Sequence, residues 1–326
     1  SNGWAYALSA SYRMADEGHF QGTDYDAKSF FLAVEKRLNN RHSLNLTAMY
    51  AQNSRGKNSP NTQEVIDKMG YDYNSYWGYH DGKKRNSRDK DVEEPLFILS
   101  HDWNISEKST LNTNIGYQFG KISNTRLEYN GGNNPDPTYY KNLPSYFLNY
   151  HNTSGTIPVW TPDYVNAEAN RNYFLQNSQI NWERMYHANA INKRAIYAVY
   201  GDVMQDNQLT ANTYYNTQIN DVVAFNAGVN YRNLKSENYQ EMLDLMGDYA
   251  LIDNDLFYGG DFGQSDLNNP NREVRVGDRY GYNYIMRANV IDVFTQFKFN
   301  LKRWDVYFSQ NASYTDYQRE GLYKNG

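Results

Sequence analysis

NQLTANTYYNTQINDVVAFNAGVNYRNL, residues 207–234, reads as two β-strands joined by a tight turn. Leu209, Ala211, Thr213, Tyr215, Thr217 and Ile219 alternate with Thr210, Asn212, Tyr214, Asn216 and Gln218. Asn220-Asp221 turns the chain. Val223, Phe225, Ala227, Val229 and Tyr231 then alternate with Ala224, Asn226, Gly228, Asn230 and Arg232. A period of two sends one set to each side of a sheet. One side is apolar with aromatic ends; the other is Asn, Gln, Thr and Gly. About ten tilted residues cross a bilayer core, and an apolar outer face with aromatic girdles over a polar inner face is the pattern of a transmembrane barrel. One hairpin alone fits a soluble sandwich equally well, so the other strands must decide.

The pattern recurs. Strands are expected over 3–14, 27–38, 43–53, 95–104, 110–121, 284–301 and 304–318, which with the two above makes about nine spanning segments. Their connections alternate between turns of two to five residues and long loops, the longest at 54–94, 122–207 and 235–283. Short turns at one rim and long extracellular loops at the other is the asymmetry of outer-membrane barrels. A soluble sandwich has no reason to sort its loops this way, and loops this long are rare in compact domains. The fold class is therefore all-β, an antiparallel transmembrane β-barrel. Bacterial single-chain barrels have even strand numbers, and an open edge in lipid leaves unpaired amides. Nine strands are thus expected to be an arc of a larger barrel.

Within the loops, 62–69 is expected to be a short helix, stopped by Gly70, and 236–247 a second one. Residues 194–204 look extended but break antiparallel parity. They are read as a separate strand above the membrane, hairpinned through Gln205-Asp206-Asn207.

Composition narrows the function. Of 326 residues, 32 are Tyr and 16% are aromatic, yet the mean hydropathy is -0.88. No apolar run is long enough for a membrane helix. A barrel survives that test, because only alternate residues face lipid. A net charge of -5 gives no support for nucleic-acid binding. The absence of Cys removes thiolate chemistry and Cys-ligated zinc. His19, His42, His80, His101, His151 and His187 are scattered, and no H-E-x-x-H, G-x-S-x-G or phosphate loop occurs, so the chain is not expected to be an enzyme. It opens Ser1-Asn2-Gly3-Trp4, without initiator Met or signal peptide, and reads as a mature or internal piece.

Five stretches carry a resemblance: NPDPTYYKNLPSY at 134–146, QINW at 179–182, GVNYRNLK at 228–235, DLNNPNR at 266–272 and SYTDYQREGLY at 313–323. On these the chain resembles the barrel portion of TonB-dependent outer-membrane receptors of Bacteroidota, in particular the Oar-like group with a carboxypeptidase-regulatory-like domain. The resemblance implies a 22-stranded barrel in the bacterial outer membrane, a plug in the lumen and uptake driven by the TonB complex. Plug and TonB box have no counterpart in this sequence. They would belong to parts of the protein outside it, with outer-membrane lipid, lipopolysaccharide and a surface lipoprotein as further partners. An accessory or surface-binding barrel without transport is the competing reading.

Candidate site residues follow from that frame. Trp77, Tyr79, Tyr139, Tyr140, Tyr146 and Trp160 sit in long loops, where aromatic rings stack on ligands or pack the loops together. Asn112, Gln118, Asn226, Asn230 and Lys298 fall on the polar, lumen-facing side. The basic run 83–88 could meet lipopolysaccharide phosphates or an anionic ligand. Asp253, Asp255, Asp261 and Asp266 offer hard oxygen ligands for a structural calcium, although the EF-hand spacing is absent. No other cofactor is expected.

Overall fold

The computed structural model describes residues 2–149, 151–152 and 159–325. In chain order its elements are β1 (Trp4–Ala15), β2 (Tyr25–Arg37), β3 (His42–Gly56), α1 (Gln63–Met69), β4 (Trp77–His80), β5 (Lys83–Asn86), β6 (Asp89–Glu93), β7 (Leu96–Ser106) and β8 (Ser109–Glu128). There follow α2 (Pro144–Leu148), β9 (His151–Asn152), β10 (Val159–Trp160), α3 (Tyr164–Gln176), α4 (Trp182–Asn192), β11 (Ala198–Gln218), β12 (Val223–Asp244), β13 (Leu251–Ile252), β14 (Glu273–Val274), β15 (Arg279–Leu301) and β16 (Trp304–Gly321).

One antiparallel sheet carries the chain. Its order is β1-β2-β3, then β6 and β7 end to end, then β8-β11-β12-β15-β16. Because β6 and β7 share the place between β3 and β8, ten strands fill nine positions, as the alternation implied. Among the described residues neither β1 nor β16 pairs on its outer edge.

The register shows why the sequence alternates. One row runs Tyr6, Val34, Leu46, Leu99, Ile115, Ala211, Tyr231, Ile291, Tyr314 across all nine positions. The adjacent row runs Ala5, Glu35, Asn45, Ser100, Asn114, Asn212, Asn230, Asp292, Ser313. The first lies on the apolar face, the second on the polar one. Tyr6 is 84% exposed, Ile115 47% and Ile291 43%. An exposed apolar band of this width marks a surface meant for lipid. Among the described residues no helix is long and apolar enough to cross a membrane.

The short turns all lie at one rim, at 38–41, 107–108, 219–222 and 302–303. Two are closed by an Asn carboxamide: Asn39 Oδ1 accepts from the amides of Arg41 and His42, and Asn220 Oδ1 from those of Val222 and Val223. At the other rim β8, β11, β12 and β15 run on for 20 to 23 residues, twice what a bilayer needs.

This height corrects three expectations. Residues 205–207 do not turn; β11 continues through them, paired with β8 on one side and β12 on the other. Parity holds because the two extended pieces are a single strand. Residues 236–247 are not a helix: β12 reaches Asp244, with Ser236 opposite Asp206 and Met286. Backbone pairing on both edges outweighed the helical spacing of Tyr239, Met242 and Met246. The loops are accordingly shorter than read, and α2, α3 and α4 stand within the stretch 122–207 read as one long loop. Helix α1 formed as anticipated, with Thr62 Oγ1 accepting from the Val65 amide.

The buried core lies almost wholly at the long-loop rim. Ala198, Met242, Leu251, Val274 and Tyr280 cluster around the β13–β14 hairpin. Trp182, Met185, Val199 and Met246 cluster under α4. Val65, Tyr73, Leu143 and Phe174 join α1 to α3. The wall needs no such core, since its apolar face meets lipid.

Val229→Arg, at mid-span on the apolar face, should therefore destabilise the folded wall by about 2–4 kcal/mol. Asn230→Arg, one residue on and on the polar face, should cost far less. Urea unfolding of both variants in lipid vesicles measures the difference, and equal losses would refute the face assignment.

Candidate functional site

Three pieces of the long-loop rim enclose a cleft of about 960 Å³. They are the turn 129–142 after β8, helix α3, and the start of α4 with the segment leading into β11; Phe257, from the loop between β13 and β14, adds its ring to them.

The turn is built by its own side chains. Asn134 Oδ1 accepts from the Asp136 amide at 3.0 Å, Asp136 Oδ1 from the Thr138 amide at 2.9 Å, and Asn142 Nδ2 donates to the Asp136 carbonyl. Gly132 passes so close to Tyr197 that a Cβ there would sit 2.6 Å from the ring. The Tyr197 hydroxyl donates to the Asn133 carbonyl at 2.9 Å.

Asp163 caps α3, accepting from the Asn166 amide, and these hydrogen bonds hold its carboxyl below the usual range. Phe174 anchors the helix at 1% exposure. Its other side turns Asn170, Tyr173 and Asn177 to the cleft. Asn181 caps α4 through the Arg184 amide. Trp182 is fully buried, donates to the Arg85 carbonyl and lies 4.1 Å beneath the Arg85 guanidinium. Asn189, at 1% exposure, ties α4 to two strands: its Nδ2 donates to the Tyr197 and Leu245 carbonyls, and its Oδ1 accepts from the Ile196 and Tyr197 amides.

The anticipated aromatic residues divide. Tyr139 lines the cleft, Tyr140 packs on it with ring centroids 4.7 Å apart, and Tyr146 packs on Tyr140 at 5.5 Å. Tyr79 is 58% exposed on the β4–β5 hairpin and does not line the cleft. Trp77 is 6% exposed, wedged against Gly22 under Lys84, so its ring packs the loops together. The side chain of Trp160 lies outside the described residues.

Asn112, Gln118, Asn226, Asn230 and Lys298 share the polar face of the wall. Asn112 donates to Asp102, Asn226 to Gln296, and Asn230 accepts from the Tyr214 hydroxyl at 2.7 Å. Gln118 stands opposite Gln208, and Lys298 lies 5.6 Å from the Tyr307 ring.

The basic run 83–88 is largely paired: Lys84 with Glu17, Arg85 with Asp244, and Arg88 over Tyr76. Three of the four loop aspartates bond backbone amides. Asp253 is held by Arg272 at 2.7 Å and by the Gly281 amide. Asp266 accepts from the Asn268 and Lys324 amides and the Asn269 carboxamide. Asp255 caps a turn at Phe257, and Asp261 lies within the turn Gly260–Gly263, its carboxylate making no hydrogen bond among the described residues. Among the described residues no three acidic or His side chains converge as metal ligands.

Sequence reasoning missed Lys141, Asn170, Asn177, Gln179, Arg184 and Phe257 as cleft residues. One signal was present: Asn170, Tyr173 and Asn177 recur at helical spacing.

On β6, Asp89 is pushed up to about 7, first by burial and then by Asp24 and Asp91. A carboxyl raised this way keeps a proton in the closed rim that it loses in the opened one. Rim stability should thus fall as pH rises from the ordinary carboxylate range to about 7, and level off above. Hydrogen exchange at 87–89 and 123–125, corrected for intrinsic rates, should slow on acidification from pH 7.5 to 5 (roughly the span over which such a proton binds). Asp89→Asn should abolish the trend.

No family model matches the chain, and no curated protein does. Solved structures do. The ferric citrate transporter FecA in its unliganded form aligns at 9% identity over 99% of this chain and 34% of its own, with TM-score 0.58. FpvA of P. aeruginosa, bound to a heterologous pyoverdine with iron, aligns at 9% identity over 99% and 35%, TM-score 0.54. The ferric-catecholate import receptor Fiu of E. coli K12, closed form, aligns at 10% identity over 97% and 38%, TM-score 0.52. The chain spans about a third of the length of each. Such likeness establishes fold: the chain has the architecture of one arc of the β-barrels of these proteins, with the rim loops that crown it.

Proposed function

We propose that the chain is part of a TonB-dependent receptor in a bacterial outer membrane, and that its rim cleft captures the ligand to be taken up. The observation that supports this is the combination of a nine-position wall, two-faced throughout, with a folded loop layer that encloses a cleft at one rim only. The long-loop rim then faces outward, the short turns face the periplasm, and the polar face, with Asn112, Gln118, Asn226, Asn230 and Lys298, faces a plug supplied elsewhere in the protein. The Oar-like resemblance refines the reading, because two of its stretches, 134–146 and 179–182, form cleft walls. A surface lipoprotein seated over the rim is compatible with this layout.

Two measurements on the native polypeptide, extracted from outer membranes, test it. Its intact mass should be about two to three times 38.1 kDa, as the one-third coverage implies. It should also bind the periplasmic domain of TonB. A mass of 38.1 kDa with no TonB binding would replace transport by an accessory barrel.

A further inference from the structure

The composition of the cleft is unlike that of the chain. Acidic residues outnumber basic ones overall, 37 to 32. Yet none of the described residues lining the cleft is Asp or Glu, while Lys141 and Arg184 both face it. Lys141 flanks α3 through its carbonyl, which accepts from Asn170 Nδ2, and Arg184 reaches the other flank through the Tyr173 hydroxyl at 3.3 Å. Two cations without a counter-carboxylate favour an anionic guest.

The amides specify more. Asn142, Asn170 and Asn177 each use Nδ2 on a backbone carbonyl, of Asp136, Lys141 and Tyr173 respectively. Their Oδ1 atoms accept no hydrogen bond among the described residues. Gln179 Oε1 is buried and has no hydrogen-bond partner among the described residues. A buried acceptor without a donor is costly, so the site suits a guest rich in donors. Aromatic rings, among them Tyr139 and Phe257, supply flat apolar surface between these polar groups. Two of the recurring modes of peptide capture use a free strand edge or an apolar groove that seats a helix. The walls here are two helices and a turn containing Pro135 and Pro137, and offer neither.

We propose that the cleft takes an acidic oligosaccharide, a short run of pyranose rings bearing carboxylates. Hydroxyls donate to the freed carboxamide oxygens, ring faces stack on the aromatic residues, and the carboxylates pair with Lys141 and Arg184. This rests on the reading of the cleft as the capture site and names the class of its ligand.

The test is calorimetry on the intact receptor in detergent with three probes: trigalacturonate, its fully methyl-esterified form, and triglutamate. Trigalacturonate should bind at least about tenfold more tightly than the ester, as loss of charge-assisted pairs predicts. Lys141→Gln and Arg184→Gln should each remove most of that difference and leave ester binding in place. Lys302→Gln, at the opposite rim, should change nothing. Equal binding of the ester, triglutamate binding as tightly as trigalacturonate, or no binding of either sugar would overturn the proposal. The wild-type comparison of acid with ester stands even if a variant fails to fold. If the same preparation binds TonB while failing this test, the ligand class is wrong and the receptor reading survives.

Discussion

Asn189→Leu should detach helix α4 from the rim and leave the wall intact. The two side chains are close in size, so packing changes little. What changes is the bonding of two carbonyls and two amides at Ile196, Tyr197 and Leu245, all satisfied by one carboxamide at 2.8–3.0 Å. Leaving them unpaired in a site where Asn189 is 1% exposed should cost the rim about 3–6 kcal/mol. Hydrogen exchange should rise sharply over 182–197 and 244–246, and proteases should cut there. The electrophoretic shift that reports a closed barrel should remain. Asn189→Asp keeps the two acceptor functions, loses the two donors and should fall between. Undisturbed exchange in Asn189→Leu would mean that α4 is held by Trp182 and Met185 alone. Because Arg184 rides on this helix, ligand binding should fail together with rim protection.

The second large effect is in the wall. Gly120→Val should prevent correct assembly. At Gly120 β8 crosses the break between β6 and β7. A Cβ placed there would lie 2.0 Å from the Glu93 carbonyl oxygen and 2.7 Å from the Glu94 Cα, which are backbone atoms that cannot rotate away. Its φ of +152° is also unfavourable for any residue with a side chain. Relief requires β6 and β7 to move off β8, and unpaired amides at the edge of lipid cost several kcal/mol each. The yield of folded barrel on refolding into detergent should fall to near zero. Gly259→Ala, with nothing within 4 Å of its Cβ, should refold like the parent. Normal yield from Gly120→Val would show that the two-piece strand is not essential to the wall.

The pairing of these variants follows from how the molecule divides. In the wall each residue's face is set by its parity. The row from Tyr6 to Tyr314 could therefore be read strand by strand before any register was known. Turns closed by Asn39 and Asn220 were legible for a related reason, because a local carboxamide bonds its own backbone. The rim obeys no such local rule. Tyr239 and Met242 have the spacing of a helix face, yet they lie in β12, because that segment pairs with β11 on one side and β15 on the other. Trp77 reads as a free aromatic in a loop and is buried, because the β1–β2 turn brings Gly22 against it.

The candidate site divides the same way. Tyr139 and Tyr140 were visible as aromatic residues in the longest interruption. Arg184, Gln179 and Lys141 were not, since nothing local marks them. They meet only because Phe174 buries one side of α3, and Asn189 fixes α4 beside it. By itself the sequence determined the nine-position, two-faced wall, since alternation is a property of each strand alone. Only the tertiary structure decided the height of β11 and β12, the helices of the rim and the acid-free cleft, since these depend on contacts between segments up to more than a hundred residues apart, such as the 105-residue link from Tyr73 to Ser178.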